Sequence, residues 1–323
     1  MPTCLVTGGA GFIGSHLVEL LLARNNRVLV VDDESTGTFE NLATVKDHPN
    51  LRATKGSVAD VDLVRRLLVG VDEVYHLAAA VGVELIAKSP IHAIETNIQP
   101  TEIILKELDR IWRGGRKVRF FLASSSEVYG KNPKERWSEE DDLVFGPTTR
   151  SRWSYGTSKA IDEFLALAYW REERLPVVIG RFFNVVGPRQ SGAYGMVLPR
   201  FVEAAKAGRT LTVHDDGLQE RCFAHVADVI RAVVRLMQVK EAQGRVFNIG
   251  SDRPVRIRDL ARKVIELVNP AAGMDFISYA DAYSADFEDC RRRVPDLSRL
   301  RETLPDFHLD HTLKDVIREL AAP

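Results

Sequence analysis

The sequence has few cysteines, almost no net charge and no long hydrophobic run. Because no apolar segment approaches the roughly 20 residues that a membrane-spanning helix needs, we expect no association with membranes. The balance of 44 Lys and Arg against 45 Asp and Glu gives no general electrostatic reason to bind nucleic acid. Cys4, Cys222 and Cys290 are scattered without metal-ligand spacing, so we expect no metal site. Thr3–Val6 already has a strand pattern, which argues against a signal peptide and favours a reduced, cytoplasmic enzyme.

Short β-branched runs alternate with amphipathic segments through the first half of the 323 residues. The amphipathic segments, such as Ser15–Ala23 and Val61–Leu68, carry apolar residues at helical spacing. This alternation predicts an α/β fold with a doubly wound, Rossmann-type parallel sheet. The predicted strands are Cys4–Thr7, Arg27–Val31, Val74–Leu77, Arg119–Ala123 and Val177–Arg181.

The pattern loosens into loops and shorter elements after Arg181. We therefore expect a nucleotide-binding domain over residues 1–180 and a smaller, mainly substrate-binding domain over 181–323. The strand predicted at Arg245–Ile249 returns to the main sheet, so the two parts are interleaved.

A glycine-rich segment, Gly8–Gly14, follows the first strand and opens the first helix. Gly8 suits a tight turn, Gly11 lets the backbone approach a pyrophosphate, and Gly14 permits close packing of the helix on the strand. The pyrophosphate then sits at the positive N-terminus of the helix. Because a strand precedes the glycines and a helix follows them, the segment predicts dinucleotide binding.

The second predicted strand is followed by Asp32, 18 residues past Gly14. A carboxylate at this place binds the ribose hydroxyls of the adenosine. The neighbouring Asp33 adds negative charge, and no arginine stands beside it to accept a 2′-phosphate. NAD is therefore expected as the cofactor rather than NADP.

A tyrosine and a lysine lie one helical turn apart at Tyr155 and Lys159. The reference pKa of tyrosine is about 10, and lowering it toward neutrality takes about 4 kcal/mol of differential stabilisation. A lysine cation and a positive nicotinamide both favour the phenolate. Ser124–Gly130 follows the strand that ends near Ala123, at the sheet edge where such folds bind ligands. A hydroxyl there could share a proton with Tyr155 and a substrate oxygen.

These motifs together resemble the extended short-chain dehydrogenase/reductase family, in its sugar-nucleotide epimerase/dehydratase/decarboxylase branch. The matching segments run almost end to end: Thr7–Ser15, Tyr75–Ala79, Thr96–Asn97, Ser124–Gly130, Tyr155–Lys159, Arg181–Asn184, Gly187–Arg189, Arg221–Asp228 and Asn248–Gly250.

The resemblance implies a reaction and a role for each matching residue. NAD takes a hydride from C4 of a sugar nucleotide such as a UDP-sugar, while Tyr155 takes the hydroxyl proton and Lys159 holds the nicotinamide ribose. Asp60 and Val61 are expected to flank adenine. Further cofactor contacts are expected from Phe12, Ile13, Leu77, Ala78, Ala79 and Asn97. Substrate contacts are expected from Asn184, Arg189, Arg221 and Arg293, with Arg292 as an alternative to Arg293. A homodimer, formed through the helix that includes Tyr155–Trp170, is also implied.

Ser125, Ser126 and Glu127 bear on the fate of the 4-keto intermediate. Ser126 stands where a 4,6-dehydratase of this branch would carry an acid, and a hydroxyl is a poor proton donor, so dehydration is disfavoured. Glu127 is either a functional carboxylate near C5 or a residue that orients its loop.

Two reactions remain. The first is 4-epimerisation of UDP-glucose or UDP-glucuronic acid, since Arg152–Lys159 and Phe287–Pro295 resemble bacterial epimerases that accept uronic acids. The alternative is decarboxylation of UDP-glucuronic acid to a UDP-pentose, which Ser125–Tyr129 and Arg293–Asp296 also resemble. A non-catalytic, NAD-binding regulator is less favoured, because such proteins commonly lose the tyrosine–lysine pair.

Overall fold

The computed structural model describes residues 1–80, 90–192, 196–282 and 290–322. In these residues the strands are β1 (Thr3–Thr7), β2 (Arg27–Asp32), β3 (Leu51–Lys55), β4 (Glu73–His76), β5 (Arg119–Ser125), β6 (Val177–Phe182), β7 (Val185–Val186), β8 (Leu211–His214), β9 (Glu220–Cys222), β10 (Ala224–His225), β11 (Arg245–Ile249), β12 (Pro254–Arg256), β13 (Met274–Ile277) and β14 (Arg292–Arg293). The α-helices are α1 (Phe12–Ala23), α2 (Val61–Leu67), α3 (Pro90–Arg113), α4 (Ser154–Glu173), α5 (Val197–Lys206), α6 (Val226–Gln238), α7 (Ile257–Val268), α8 (Tyr279–Ala282), α9 (Ser298–Thr303) and α10 (Leu313–Ala321). Short 3-10 helices cover Phe39–Leu42, Ser126–Tyr129, Ser151–Trp153 and Lys240–Ala242.

The central sheet has seven parallel strands in the order β11-β6-β5-β4-β1-β2-β3. The chain runs outward from β1 to β3 and then returns to add β4, β5 and β6 on the other side, which is the doubly wound arrangement. The predicted Rossmann-type fold is therefore confirmed. The strand expected to return late in the chain does so, since β11 pairs with β6 along its whole length.

One strand of this sheet, β3, was not predicted. Its sequence is LRATK, and its residues are exposed or only partly buried at the edge of the sheet. Charged side chains at a sheet edge replace the apolar run by which the other strands are identified in the sequence.

Apolar side chains of successive residues leave the sheet on opposite faces, and helices cover both. Cys4 and Val6 belong to the cluster that includes α1 and α6, whereas Leu5 belongs to the cluster that includes α2, α3 and α4. This burial on both faces explains the nearly continuous apolar runs of the inner strands.

The chain after β6 contributes a smaller body with its own apolar cluster, formed by α5, α7, α10 and β8. Within it, β9 pairs with β12 and β14, and β8 pairs with β13. The pairing of β9 with β14 matters most for function, because it brings together residues about 70 positions apart in the sequence.

Candidate active site

A cleft of about 490 Å³ lies along the carboxyl ends of the central strands, where open α/β sheets bind ligands. We call its two ends the glycine end (Gly8–Gly14, Asp32 and Leu77–Ala79) and the arginine end (Glu127, Arg152, Arg221 and Arg293). The predicted site residues that line the cleft are Gly8, Gly11, Phe12, Ile13, Gly14, Asp32, Leu77, Ala78, Ala79, Ser125, Ser126, Glu127, Tyr155, Lys159, Asn184, Arg189, Arg221 and Arg293. The remaining three, Asp60, Val61 and Asn97, lie outside its lining.

Close packing in the glycine loop excludes side chains at Gly8 and Gly14. Gly8 has a φ of +68°, and a Cβ atom there would lie 2.7 Å from the backbone nitrogen of Ala78. A Cβ atom at Gly14 would lie 2.1 Å from the carbonyl oxygen of Gly8. Gly11 caps α1 without a side-chain hydrogen bond, so bare backbone surrounds the start of this helix. The loop therefore provides the cradle that a pyrophosphate requires.

Asp32 lies at the end of β2 and is held by two backbone groups. Its carboxylate accepts hydrogen bonds from the amides of Ala10 at 2.9 Å and Glu34 at 2.8 Å. Burial, with the charges of Asp33 and Glu34, raises the pKa of Asp32 above its usual value despite these hydrogen bonds. The acidic surroundings fit ribose hydroxyls and disfavour a 2′-phosphate, as predicted for NAD.

The structure does not bring Asp60 and Val61 into the cleft as the resemblance implied. The carboxylate of Asp60 accepts hydrogen bonds from the amides of Asp62 and Leu63, both at 3.0 Å, and so caps α2. Ser57 and Val58 line the cleft in their place. These two residues closely follow β3, the edge strand that was not predicted.

Asn97 hydrogen-bonds to the loop that follows β4, next to the glycine end. Its side-chain oxygen accepts a hydrogen bond from the amide of Ala80 at 2.9 Å, and its nitrogen lies 3.3 Å from the hydroxyl of Ser158. The fully buried Asn97 thus joins the loop after β4 to α4, the helix that carries Tyr155. In this arrangement it orients the cleft wall.

The tyrosine and lysine predicted for catalysis lie in the middle of the cleft. Tyr155 is buried and hydrogen-bonds to the side chain of Ser125. Burial and the charge of Glu127 raise the pKa of Tyr155 well above its usual range, and the hydrogen bond from Ser125 opposes this effect. The Lys159 ammonium, which is predicted to favour the phenolate, pairs with Asp162 at 3.3 Å.

Glu127 is clamped by two arginines from distant parts of the chain. Its two carboxylate oxygens each lie 2.7 Å from a guanidinium nitrogen, one of Arg152 and one of Arg293. All three side chains are largely buried. Burial alone would raise the pKa of Glu127, but the charges of Arg293 and Arg152 outweigh it and hold the pKa well below its usual range. The carboxylate is therefore ionised and faces two guanidinium groups.

The pairing of β9 with β14 shows how the neighbouring Arg292 and Arg293 are placed relative to the cleft. Arg293 stands opposite Arg221 in this register, and both are buried and line the cleft. Arg292 is more exposed and interacts with Glu220 at 3.2 Å. Of the two, Arg293 rather than Arg292 lines the cleft.

Asn184 and Arg189 line the cleft but use their side chains within the protein. The amide nitrogen of Asn184 donates to the carbonyl of Cys222 at 2.8 Å. The guanidinium of Arg189 bonds to Ser15 at 3.1 Å and to Glu19 at 2.6 Å, both on α1. Arg189 thereby attaches the loop after β7 to the helix of the glycine loop.

Sequence reasoning missed a polar group beyond the arginine end. Gln219 donates to the carbonyl of His214 at 3.0 Å and lies 3.2 Å from the hydroxyl of Tyr279. The His214 ring, which lies edge-on to Tyr279, is 3.3 Å from a nitrogen of Arg200. All four line the cleft, and the proximity of Gln219 to Arg221 was the available signal.

The model of the NAD dependent epimerase/dehydratase family matches residues 4–250. The chain belongs to this family. Membership confirms the predicted resemblance and NAD as the cofactor.

No group of three or more His, Cys, Asp or Glu side chains suited to a metal ion occurs among the described residues. Nor does any helix in that part of the chain combine the length and apolarity that a membrane crossing requires. Of the segment Phe287–Pro295, residues 287–289 lie outside the described part.

Members of the family with known activities resemble this chain over most of its length. It is 37% identical over 319 residues to a UDP-N-acetyl-alpha-D-glucosaminuronate decarboxylase of Bacillus cytotoxicus, covering 98% of this chain and 96% of that protein. It is 34% identical over 300 residues to UDP-glucuronic acid decarboxylase 1 of Arabidopsis thaliana, covering 93% of this chain and 65% of that protein. Its fold matches that of a UDP-N-acetylglucosamine 4-epimerase from Methanobrevibacter ruminantium M1, solved with UDP-N-acetylmuramic acid, with a TM-score of 0.87 and 27% identity over 99% of this chain and 97% of that one.

Proposed function

We propose that the protein is an NAD-dependent decarboxylase of a UDP-hexuronic acid. The observation that carries this proposal is the cluster of Glu127, Arg152 and Arg293 beside Tyr155. Among the described residues, these three side chains carry two positive charges and one negative charge, which is one positive charge in excess. A C6 carboxylate on the sugar would balance this charge, whereas a neutral hydroxymethyl group would leave it uncompensated.

The arginine end also suits the rest of the ligand. Arg221 stands beside Arg293 across the β9–β14 pair, and planar guanidinium donors match the oxygens of a diphosphate. The sugar is then held between the diphosphate and Tyr155. This placement leaves its C6 group next to the cluster around Glu127.

The chain's own side chains perform proton transfer and charge stabilisation. Tyr155, hydrogen-bonded to Ser125, takes the proton of the C4 hydroxyl as C4 is oxidised. NAD, when bound, supplies the acceptor for the C4 hydride and later returns it. The resulting 4-ketone is a β-keto acid, so the C5–C6 bond breaks and its electron pair moves toward the C4 oxygen. The hydroxyls of Tyr155 and Ser125 stabilise that oxygen, carbon dioxide leaves, and C5 takes up a proton.

The relatives support decarboxylation over the 4-epimerisation that was expected first. Both sequence relatives are named as decarboxylases of UDP-hexuronic acids. The likeness to a UDP-sugar 4-epimerase keeps epimerisation as the second candidate. The homodimer implied by the resemblance stays a prediction, with which the exposed Ile161 and Phe164 on α4 are compatible.

The test is product analysis with two substrates that differ at C2. The NAD-loaded enzyme is incubated separately with UDP-glucuronic acid and UDP-N-acetylglucosaminuronic acid, and products are identified by NMR and mass spectrometry. We expect a UDP-sugar that has lost its carboxyl group, with an equimolar release of carbon dioxide. A C4-inverted sugar with its carboxylate intact would instead establish the epimerase, and turnover of neutral UDP-glucose alone would contradict the charge argument.

A further inference from the structure

A buried ion pair on α4 lies next to the proposed proton acceptor. The Lys159 ammonium and a carboxylate oxygen of Asp162 are 3.3 Å apart, and their side chains are 2% and 0% exposed. The two residues are three positions apart on the helix and hence on the same face. A carboxylate with no exposure stays charged only if a partner compensates it, and Lys159 is that partner.

His76 and Thr101, from two other elements, interact with this ion pair. His76, at the end of β4, is neutral because burial and the charge of Lys159 lower its pKa to about 3. On α3, the Thr101 hydroxyl favours the charged form of Asp162, although burial raises the pKa of this carboxyl overall. Asp162 therefore provides the opposite charge that Lys159 faces inside the protein.

The same carboxylate acts on Tyr155, which is one helical turn before Lys159. Among the groups facing Tyr155, the charges of Glu127 and then Asp162 disfavour the phenolate, whereas the Ser125 hydroxyl favours it. The charge of Glu127 is balanced by Arg152 and Arg293. Asp162 thus opposes ionisation of Tyr155 twice, directly and by compensating Lys159.

We propose that Asp162 is a positioning residue, which holds the Lys159 ammonium in a buried pair and so makes Tyr155 release its proton at a higher pH than an unpaired lysine would permit. This inference rests on the proposed role of Tyr155 as the acceptor of the C4 hydroxyl proton. On this proposal Asp162 sets the pH range of activity, whereas the arginine end selects the sugar.

The direct test is the ionisation of Tyr155 in the NAD-loaded protein. Phenolate formation is followed by ultraviolet difference titration, and the Tyr155→Phe protein is subtracted to remove the other tyrosines. In Asp162→Asn we expect the midpoint for Tyr155 to move down by about one pH unit, because a negative charge is removed and Lys159 is released. Glu172→Gln is the matched control, since it removes a negative charge from an exposed position on the same helix and should leave the midpoint unchanged.

Activity gives a second readout that a merely structural role would not move. The acidic limb of the kcat profile should shift in the same direction in Asp162→Asn, with the same product. An unchanged or higher midpoint in the titration overturns the proposal. Because the titration uses no sugar nucleotide, it stands or fails independently of the product analysis.

A second pair of variants covers the case in which Asp162→Asn does not fold. Lys159→Met is compared with the double variant Lys159→Met, Asp162→Asn, which removes both buried charges together. In Lys159→Met the buried Asp162 loses its partner and becomes neutral, so we expect the same Tyr155 midpoint in the two variants. Different midpoints would contradict an action of Asp162 that depends on its pair with Lys159.

Discussion

The glycine end and the arginine end of the cleft bind charge by different means. At the glycine end, backbone close packing forms the site, and side chains are excluded from Gly8 and Gly14. At the arginine end, the site is made by long side chains that reach in from separate segments, as Arg152 and Arg293 do toward Glu127. On the proposed function, a nearly neutral chain holds two diphosphates without a basic surface, because each end concentrates positive charge locally.

This difference also separates what each end contributes. Backbone groups at a helix N-terminus recognise a phosphate whatever sugar is attached elsewhere. On the proposed function, recognition at the arginine end depends on a count of charges, which changes when the ligand gains or loses a carboxylate. We therefore expect variants at the glycine end to affect NAD, and variants at the arginine end to affect the choice of sugar.

The largest effect is expected at Tyr155, where the two ends meet. Tyr155→Phe removes the hydroxyl that takes the C4 proton, so kcat should fall by roughly a thousandfold while NAD content is retained. Measured NAD content and turnover separate the two properties. Tyr169→Phe removes a hydroxyl from the same helix and should stay near the parent rate. Full activity in Tyr155→Phe would remove this residue from the mechanism.

A smaller effect is expected at the arginine end. Arg293→Met leaves Glu127 with one of its two arginines, raises the pKa of Glu127 toward its usual range, and removes a positive charge that we propose faces the sugar carboxylate. We expect kcat/KM for the uronic acid substrate to fall about 100-fold, equivalent to roughly 3 kcal/mol, with NAD affinity unchanged. Arg292→Met is the matched control on the same strand, because Arg292 interacts with Glu220. Equal losses in both variants would contradict the assignment of Arg293.

The smallest effect is expected from single methyl groups at the glycine end. In Gly14→Ala the added Cβ would meet the carbonyl of Gly8 at 2.1 Å, so α1 must move and the free energy of unfolding should fall by about 1–3 kcal/mol. In Gly11→Ala the nearest atom is 3.2 Å away, and we expect a stable protein with about tenfold weaker NAD binding. Calorimetric NAD titration and thermal unfolding distinguish the two. If Gly11→Ala bound NAD normally, the cradle would not be the pyrophosphate site.

The same contrast explains how much could be predicted from the sequence. The glycine loop, the inner strands and the Tyr155–Lys159 spacing are local patterns, and the structure has them within one or two residues of the prediction. The exposed edge strand β3 has no such pattern and was not predicted, and Ser57 and Val58, which follow it and line the cleft, were not among the predicted site residues. The clamp on Glu127 was not predictable, because Arg293 reaches it only through the pairing of β14 with β9.

The return of β11 to the central sheet has a consequence for synthesis of the chain. Until β11 is made, the sheet ends at β6, whose backbone groups are open on one side although its side chains are already apolar. The first elements of the smaller body, among them α5 and β8, are translated during this interval, between β6 and β11. An open strand edge is a template for pairing with other chains. The nascent protein is therefore most exposed to aggregation while the segment between β6 and β11 is being translated, and a fragment ending at residue 180 would keep that hazard permanently.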